Sequence, residues 1–189
     1  MERQKALTLR LEMQILSNPW IWLRRIRHRC GYGVHSPFAF QFLMQVVYER
    51  NTFYALESLD AQLAWWQRFR VRRHLHLLFR LANYVQPVRI VAPAPSLATR
   101  YMLAACPRTA LSTPDREASP TLVYLLSPWD EPPSALFPMG ENDVLVLDNL
   151  HRHAAWFATL PATVTFDLHD VGIAFFNHRL NTQHYVVNF

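Results

Sequence analysis

From Pro87 onward, short apolar runs alternate with helical stretches, and this alternation constrains the fold more than any other feature of the chain. It is the signature of an α/β sheet. Strands are expected at Arg89–Ala92, Thr109–Ser112, Thr121–Leu126 and Asp143–Asp148, then at Thr163–His169, Ile173–Asn177 and His184–Phe189. Asp170-Val171-Gly172 falls between two of these runs and reads as a hairpin turn. The proline-rich stretch from Ser127 to Pro138 reads as a loop with little room for a helix.

The turn after the first of these strands is unusual. A helix opens at Ser96, and the corner before it is Ala92-Pro93-Ala94-Pro95. Glycine at such a corner lets the backbone approach a ligand and adopt positive φ, whereas proline fixes φ and removes an N–H donor. The corner keeps the outline of a ligand-holding loop without its chemistry.

Before Pro87 the pattern is helical. Thr8 to Leu16 forms an apolar face stopped by Asn18-Pro19. The basic, aromatic piece Trp20 to Arg29 follows; it either packs Trp20, Leu23 and Ile26 on the domain or lies on a membrane surface. Gly31 and Gly33 mark a turn, and Ser36-Pro37 is a helix start with serine as N-cap and proline at the first helical position. That helix should bury Phe38, Phe42, Leu43, Val46 and Val47 and break at Asn51-Thr52. Helical periodicity returns from Leu56 to Tyr84, interrupted by Arg68, Arg70, Arg72 and Arg73, which read as a solvated break or an exposed basic face. The chain thus divides into a basic helical N-terminal region, 1–84, and an α/β domain, 85–189.

Charge follows the same division. Residues 1–89 carry 13 Arg and one Lys against five acids, a balance of +9, and residues 90–189 carry five Arg against nine acids, a balance of −4, which together give the net +5. Either the basic part docks on the chain's own acidic half, or it meets RNA, an anionic membrane surface or an acidic partner. No run approaches the roughly 18 apolar residues of a membrane-spanning helix, and Met1 to Arg10 lacks the pattern of a signal peptide. Cys30 and Cys106 are far apart and suggest neither a disulfide framework nor a metal knuckle, so a reducing cytoplasm is the expected location.

Several segments together resemble an uncharacterised Bacteroidetes-type family of class I S-adenosylmethionine-dependent methyltransferases. They are Gly31-Tyr-Gly-Val-His-Ser-Pro-Phe38, Leu77 to Tyr84 with Gln86-Pro87, Ser96-Leu97, Val144 to Asp148, Thr165 to Phe176 and Gln183 to Phe189. They cover most of the chain in order. The resemblance implies a Rossmann-like, methyltransferase-type sheet whose last strand is reversed. It also places the cofactor loop at Ala92, Pro93, Ala94, Pro95, Ser96 and Ala98, where the acid and glycines of such enzymes are missing. Asp115 would fall where an acidic residue grips the ribose. The acid expected after the fourth strand would lie near Leu126 and Ser127, where none occurs before Asp130. Asp148, Asn149 and His151 follow the fifth.

A second departure is one of length. Only Pro114 to Pro120 separates the second expected strand from Thr121, whereas a parallel crossover with its helix needs about 10–12 residues. If Thr121–Leu126 corresponds to the fourth strand of the resembled family, one strand–helix unit is missing, and the sheet should then contain six or seven strands with an antiparallel C-terminal hairpin.

Among polar clusters, Asp148, His151 and His153 suit acid–base work or a divalent cation, or alternatively Asp148 caps the following helix. His74 and His76 are two apart on a helix, so they point in different directions and make no metal pair. Arg24, Arg25, Arg27, Arg29, Tyr32 and His35 form a possible anion-binding surface. The leading expectation is a methyltransferase-like binding or scaffold module without a cofactor. The alternatives are an active S-adenosylmethionine-dependent enzyme using Asp115, Ala94 and Ser96 for the cofactor and Asp148 or His151 near the acceptor, or an RNA-binding protein.

Overall fold

The computed structural model describes residues 34–51, 53–92, 95–112, 120–126 and 139–189. Ser36 caps the first described helix, α1 (Pro37–Phe42), its hydroxyl accepting from the Ala39 N–H at 3.4 Å with Pro37 in the first turn. A π-helical turn, Leu43–Val47, continues it, so the helix ends at Tyr48, ahead of the expected break at Asn51-Thr52. Then come α2 (Tyr54–Ala61), α3 (Trp65–Arg70) and α4 (Arg72–Val85). The arginine-rich interruption expected between two helical runs is the junction of α3 and α4 at Val71. Gln86, in the left-handed conformation, stops α4 and turns the chain into the sheet.

The strands are β1 (Arg89–Val91), β2 (Ala110–Ser112), β3 (Thr121–Leu125), β4 (Val144–Asp148), β5 (Val164–Asp167), β6 (Val171–Phe175) and β7 (Gln183–Val186). Helix α5 (Leu97–Ala105) links β1 to β2, and α6 (Leu150–Ala158) links β4 to β5. The seven strands form one mixed sheet in the order β2-β1-β3-β4-β6-β5-β7. This is a Rossmann-like α/β fold. β2 and β3 are consecutive in sequence yet lie on opposite sides of β1, both parallel to it. The 113–120 connection therefore joins two parallel strands on either side of β1 in fewer residues than the about 10–12 expected of a helix-bearing crossover.

Two details differ from the expectations. The reversed strand is β6, which pairs antiparallel with both β4 and β5, while the closing strand β7 runs parallel to β5. The hairpin turn lies two residues earlier, at Leu168–Asp170, and Val171 and Gly172 already belong to β6. Asp167 Oδ1 accepts the His169 N–H at 2.7 Å, and His169 takes the positive φ of 76° that the turn demands. Gly172 has a packing role: a Cβ there would come within 2.8 Å of Phe157 on α6.

Strand alternation feeds two cores. One face of the sheet, with Ile90, Leu122, Tyr124, Val146, Phe166 and Phe175, packs against α1, α4 and α5. The other, with Val91, Val123, Leu145, Leu147 and Ala174, packs against α6 through Leu150 and Phe157. Phe42 lies 4.5 Å from Phe166 and 5.1 Å from Phe175, ring centre to ring centre, so α1 is built into the core of the sheet. Among the described residues no helix is long and apolar enough to cross a membrane.

Candidate functional site

Because β1, β3 and β4 are parallel, Ala92 and Leu126, just past β1 and β3, and Asp148, the last residue of β4, lie along one edge. In open α/β sheets ligands settle at this carboxyl edge, where the chain connections diverge to either side. Here the divergence falls between β1 and β3. Helix α5 begins beside it, and its N-terminal turn is closed on itself. Ser96 Oγ accepts the Thr99 N–H at 3.2 Å, and Thr99 Oγ1 accepts the Ser96 N–H at 2.7 Å. The Thr99 hydroxyl also donates to the Ser96 carbonyl at 2.8 Å. A helix N-terminus binds anions through N–H groups its own turn leaves free; at α5 two of those donors are already engaged within the chain.

At the end of β4, Asp148 is held by groups from three elements. The Tyr124 hydroxyl on β3 donates to its Oδ2 at 2.8 Å, and the Asn149 N–H donates to its Oδ1 at 3.2 Å. His74 Nε2 on α4 sits 3.6 Å from the same Oδ2 and has no hydrogen-bond partner, although it is sealed from water. Tyr124 is buried. Burial, the neighbouring Asp148 charge and the bond to it hold its phenol well above the usual tyrosine range.

His151 turns elsewhere. Its Nδ1 lies 3.7 Å from Asp170 Oδ1, and its ring centre is 6.0 Å from that of His169. The structure therefore separates Asp148 and His151 into different clusters. The reading of Asp148 as a helix cap is corrected as well. Asn149 is the capping residue of α6, in the left-handed conformation, and the Leu150 N–H is taken by the Asp170 carbonyl at 3.0 Å. His153 lies in the first turn of α6. Burial, then the Arg152 and His151 charges, lower its pKa below the usual histidine value. Among the described residues no three His, Cys, Asp or Glu side chains converge as a metal site requires.

The sequence reading passed over a second network, centred on Asp60 at the end of α2. Its Oδ1 accepts the Tyr101 hydroxyl of α5 at 2.8 Å, and both carboxylate oxygens lie 3.0 Å from His76 Nε2 of α4. Arg72 Nε is 2.6 Å from Oδ2. Burial alone would raise the Asp60 pKa; the bonds from His76 and Tyr101, with the charges of His76 and Arg72, outweigh it and bring the carboxyl below its ordinary value. His74 and His76 do point apart, one to Asp148 and one to Asp60. That divergence was the available signal that two separate acids are served by one helix.

Ser96 is thus located as a cap, and His35 is exposed just before α1. Ala94, Asp115, Arg24, Arg25, Arg27, Arg29 and Tyr32 lie outside the described residues. Comparisons with protein-family models, with curated proteins and with solved structures found no match for this chain.

Proposed function

We propose that this chain is a methyltransferase-like protein that no longer transfers methyl groups and serves as a binding or scaffold module. The observation that carries this reading is the corner between β1 and α5. Its sequence is Ala92-Pro93-Ala94-Pro95, and two N–H donors of the helix turn behind it are taken by its own Ser96–Thr99 box. A methyl donor's amino-acid end needs close backbone approach and free N–H groups at such a corner. β2 is the sheet's edge strand beside β1, and a sheet one strand–helix unit narrower than that of the resembled methyltransferases would lack one wall of the crevice there, which supports the same reading. Asp148 is engaged by Tyr124, which fits a structural brace between β3 and β4.

Calorimetric titration of the whole protein with S-adenosylmethionine and with its demethylated product tests this. No heat of binding at millimolar ligand is expected. Micromolar affinity, or transfer of label from a labelled methyl donor, overturns the reading in favour of an active enzyme.

A further inference from the structure

A cleft of about 430 Å³ opens at the junction of α3 and α4, walled also by Tyr48 to Arg50 after α1 and by Asn188 and Phe189 after β7. Arg50, Arg68, Arg72, Arg73 and Arg80 line it, with Glu49 as the single acid in its wall. Such a volume lies within the range of small-ligand sites. What sets it apart from an ordinary solvated basic face is how the arginines are held.

Arg80 reaches across from α4, its Nη1 donating to the Glu49 carbonyl at 2.8 Å and its Nη2 to the Val47 carbonyl at 3.4 Å. Its Nε is sealed from water and has no partner. Arg68 donates to the Asp60 carbonyl at 3.1 Å and to the Ala61 carbonyl at 3.3 Å. Both guanidinium groups are therefore positioned by neutral acceptors, which fix their direction without cancelling their charge. Burial lowers the Arg80 pKa to about 10, the Arg73 charge pushing the same way and Glu49 opposing. A buried cation is costly to maintain, and here Glu49 only partly offsets the burial of Arg80, whose direct partners are neutral carbonyls. The one nearby buried acid, Asp60, is already shared by Arg72, His76 and Tyr101.

Beside these cations stand two rings. Phe69, 85% exposed, lines the cleft from α3. Phe189 also lines it, with the Arg73 guanidinium 4.4 Å from its ring centre. Fork-shaped donors match phosphate oxygens, and an exposed ring next to them offers a face for a planar base.

From this geometry we infer that the cleft is a nucleotide site, in which Arg50, Arg68, Arg72 and Arg80 take the phosphate and Phe69 takes the base. The ligand is a free nucleotide or the phosphorylated end of a nucleic acid strand. The residues that line the cleft do not include Ala92, Ser96 or Asp148, so the inference does not depend on a methyl donor binding at the sheet edge.

The test is calorimetry on the whole protein at low salt with adenosine 5′-monophosphate, adenosine, inorganic phosphate and a short 5′-phosphorylated single-stranded oligonucleotide. The monophosphate or the oligonucleotide should bind and adenosine should not; whichever of the two binds tighter identifies the source. Arg80→Gln should weaken binding at least about tenfold, the scale of one lost charge-assisted contact. Because Arg80 also braces the chain, the exposed variants Arg50→Gln and Phe69→Ser provide a second measure, with folding checked by circular dichroism. Each should weaken nucleotide binding several-fold, and Phe69→Ser should leave inorganic phosphate unaffected. The inference is overturned if neither phosphorylated ligand binds at millimolar concentration, if binding survives all three substitutions, or if inorganic phosphate binds as tightly as the nucleotide.

Discussion

The Tyr101 hydroxyl donates to Asp60 Oδ1 at 2.8 Å, joining α5 to α2 across 41 residues of sequence. Tyr101 is fully buried and Asp60 nearly so. A bond of this kind is expensive to break from one side, because the partner left behind stays buried and unpaired. Asp60→Ala strands the Tyr101 hydroxyl and removes the acceptor of His76. It should cost roughly 3 kcal/mol in urea unfolding. Tyr101→Phe removes one donor and leaves Asp60 with His76 and Arg72, so about 1–2 kcal/mol is expected.

The same carboxylate predicts an acid dependence. Its folded pKa lies below its ordinary value. The linked stability is therefore complete above the unfolded-state pKa of about 3.9 and is lost as pH falls through the folded pKa. Unfolding free energies measured from pH 6 down to pH 2.5 should fall more steeply for the native chain than for Asp60→Asn. Parallel curves would show that Asp60 is not the group responsible.

At alkaline pH the tyrosines take over. Burial raises the pKa of Tyr84, Tyr101 and Tyr124, with the Asp60 and Asp148 charges adding to it at the last two. A phenol with a raised folded pKa contributes stability that is complete below the unfolded-state value of about 10 and is lost as pH rises above it. Phenolate absorbance should show these rings ionising together with unfolding. Tyr124→Phe should flatten the alkaline slope, while lowering neutral-pH stability by about 1–2 kcal/mol through the loss of its bond to Asp148.

These networks show what could be read from the chain and what could not. The strands were legible because β-branched and aromatic runs of three to five residues alternate with helical stretches, and both the Ser36-Pro37 and Ser96 helix starts announce themselves by local capping chemistry. The crossover over β1 was not, because a connection as short as 113–120 reads as too short to join parallel strands. Asp60 was not, because a single acid near the end of an amphipathic helix looks solvated until α4 and α5 fold over it. Asp148 and His151, three apart in sequence, looked like one cluster. The left-handed Asn149 between them turns the chain, and Asp148 goes to Tyr124 while His151 goes to Asp170. Gly172 read as a turn residue because glycine is commonest there, whereas its use depends on how closely α6 lies on β6, which no local pattern records.

Helix α5 offers a direct check on its closed N-terminal turn. Ser96→Ala removes the acceptor of the Thr99 N–H, and loss of a serine cap costs about 1 kcal/mol. Thr99→Val removes the reciprocal acceptor of the Ser96 N–H while keeping the side-chain volume, and a similar cost is expected. Because the two bonds close one turn, the double variant should cost less than the sum of the single ones, a coupling that a double-mutant cycle in urea measures.

Gly172 gives the sharpest packing prediction. An alanine Cβ would meet Phe157 Cε2 at 2.8 Å, Phe157 Cζ at 2.9 Å and Leu150 Cδ1 at 3.0 Å. Those atoms belong to the two side chains that seat α6 on the second core, and Leu150 is almost wholly buried. The φ of Gly172 does not demand glycine, so the penalty is steric rather than conformational. Overpacking of this size costs typically about 1–3 kcal/mol. Gly172→Ala should lower the melting temperature, and pairing it with Phe157→Leu should recover part of the loss by making room at the contact. If the second substitution only adds its own cavity cost, the close approach of α6 to β6 is not what excludes a side chain at this position.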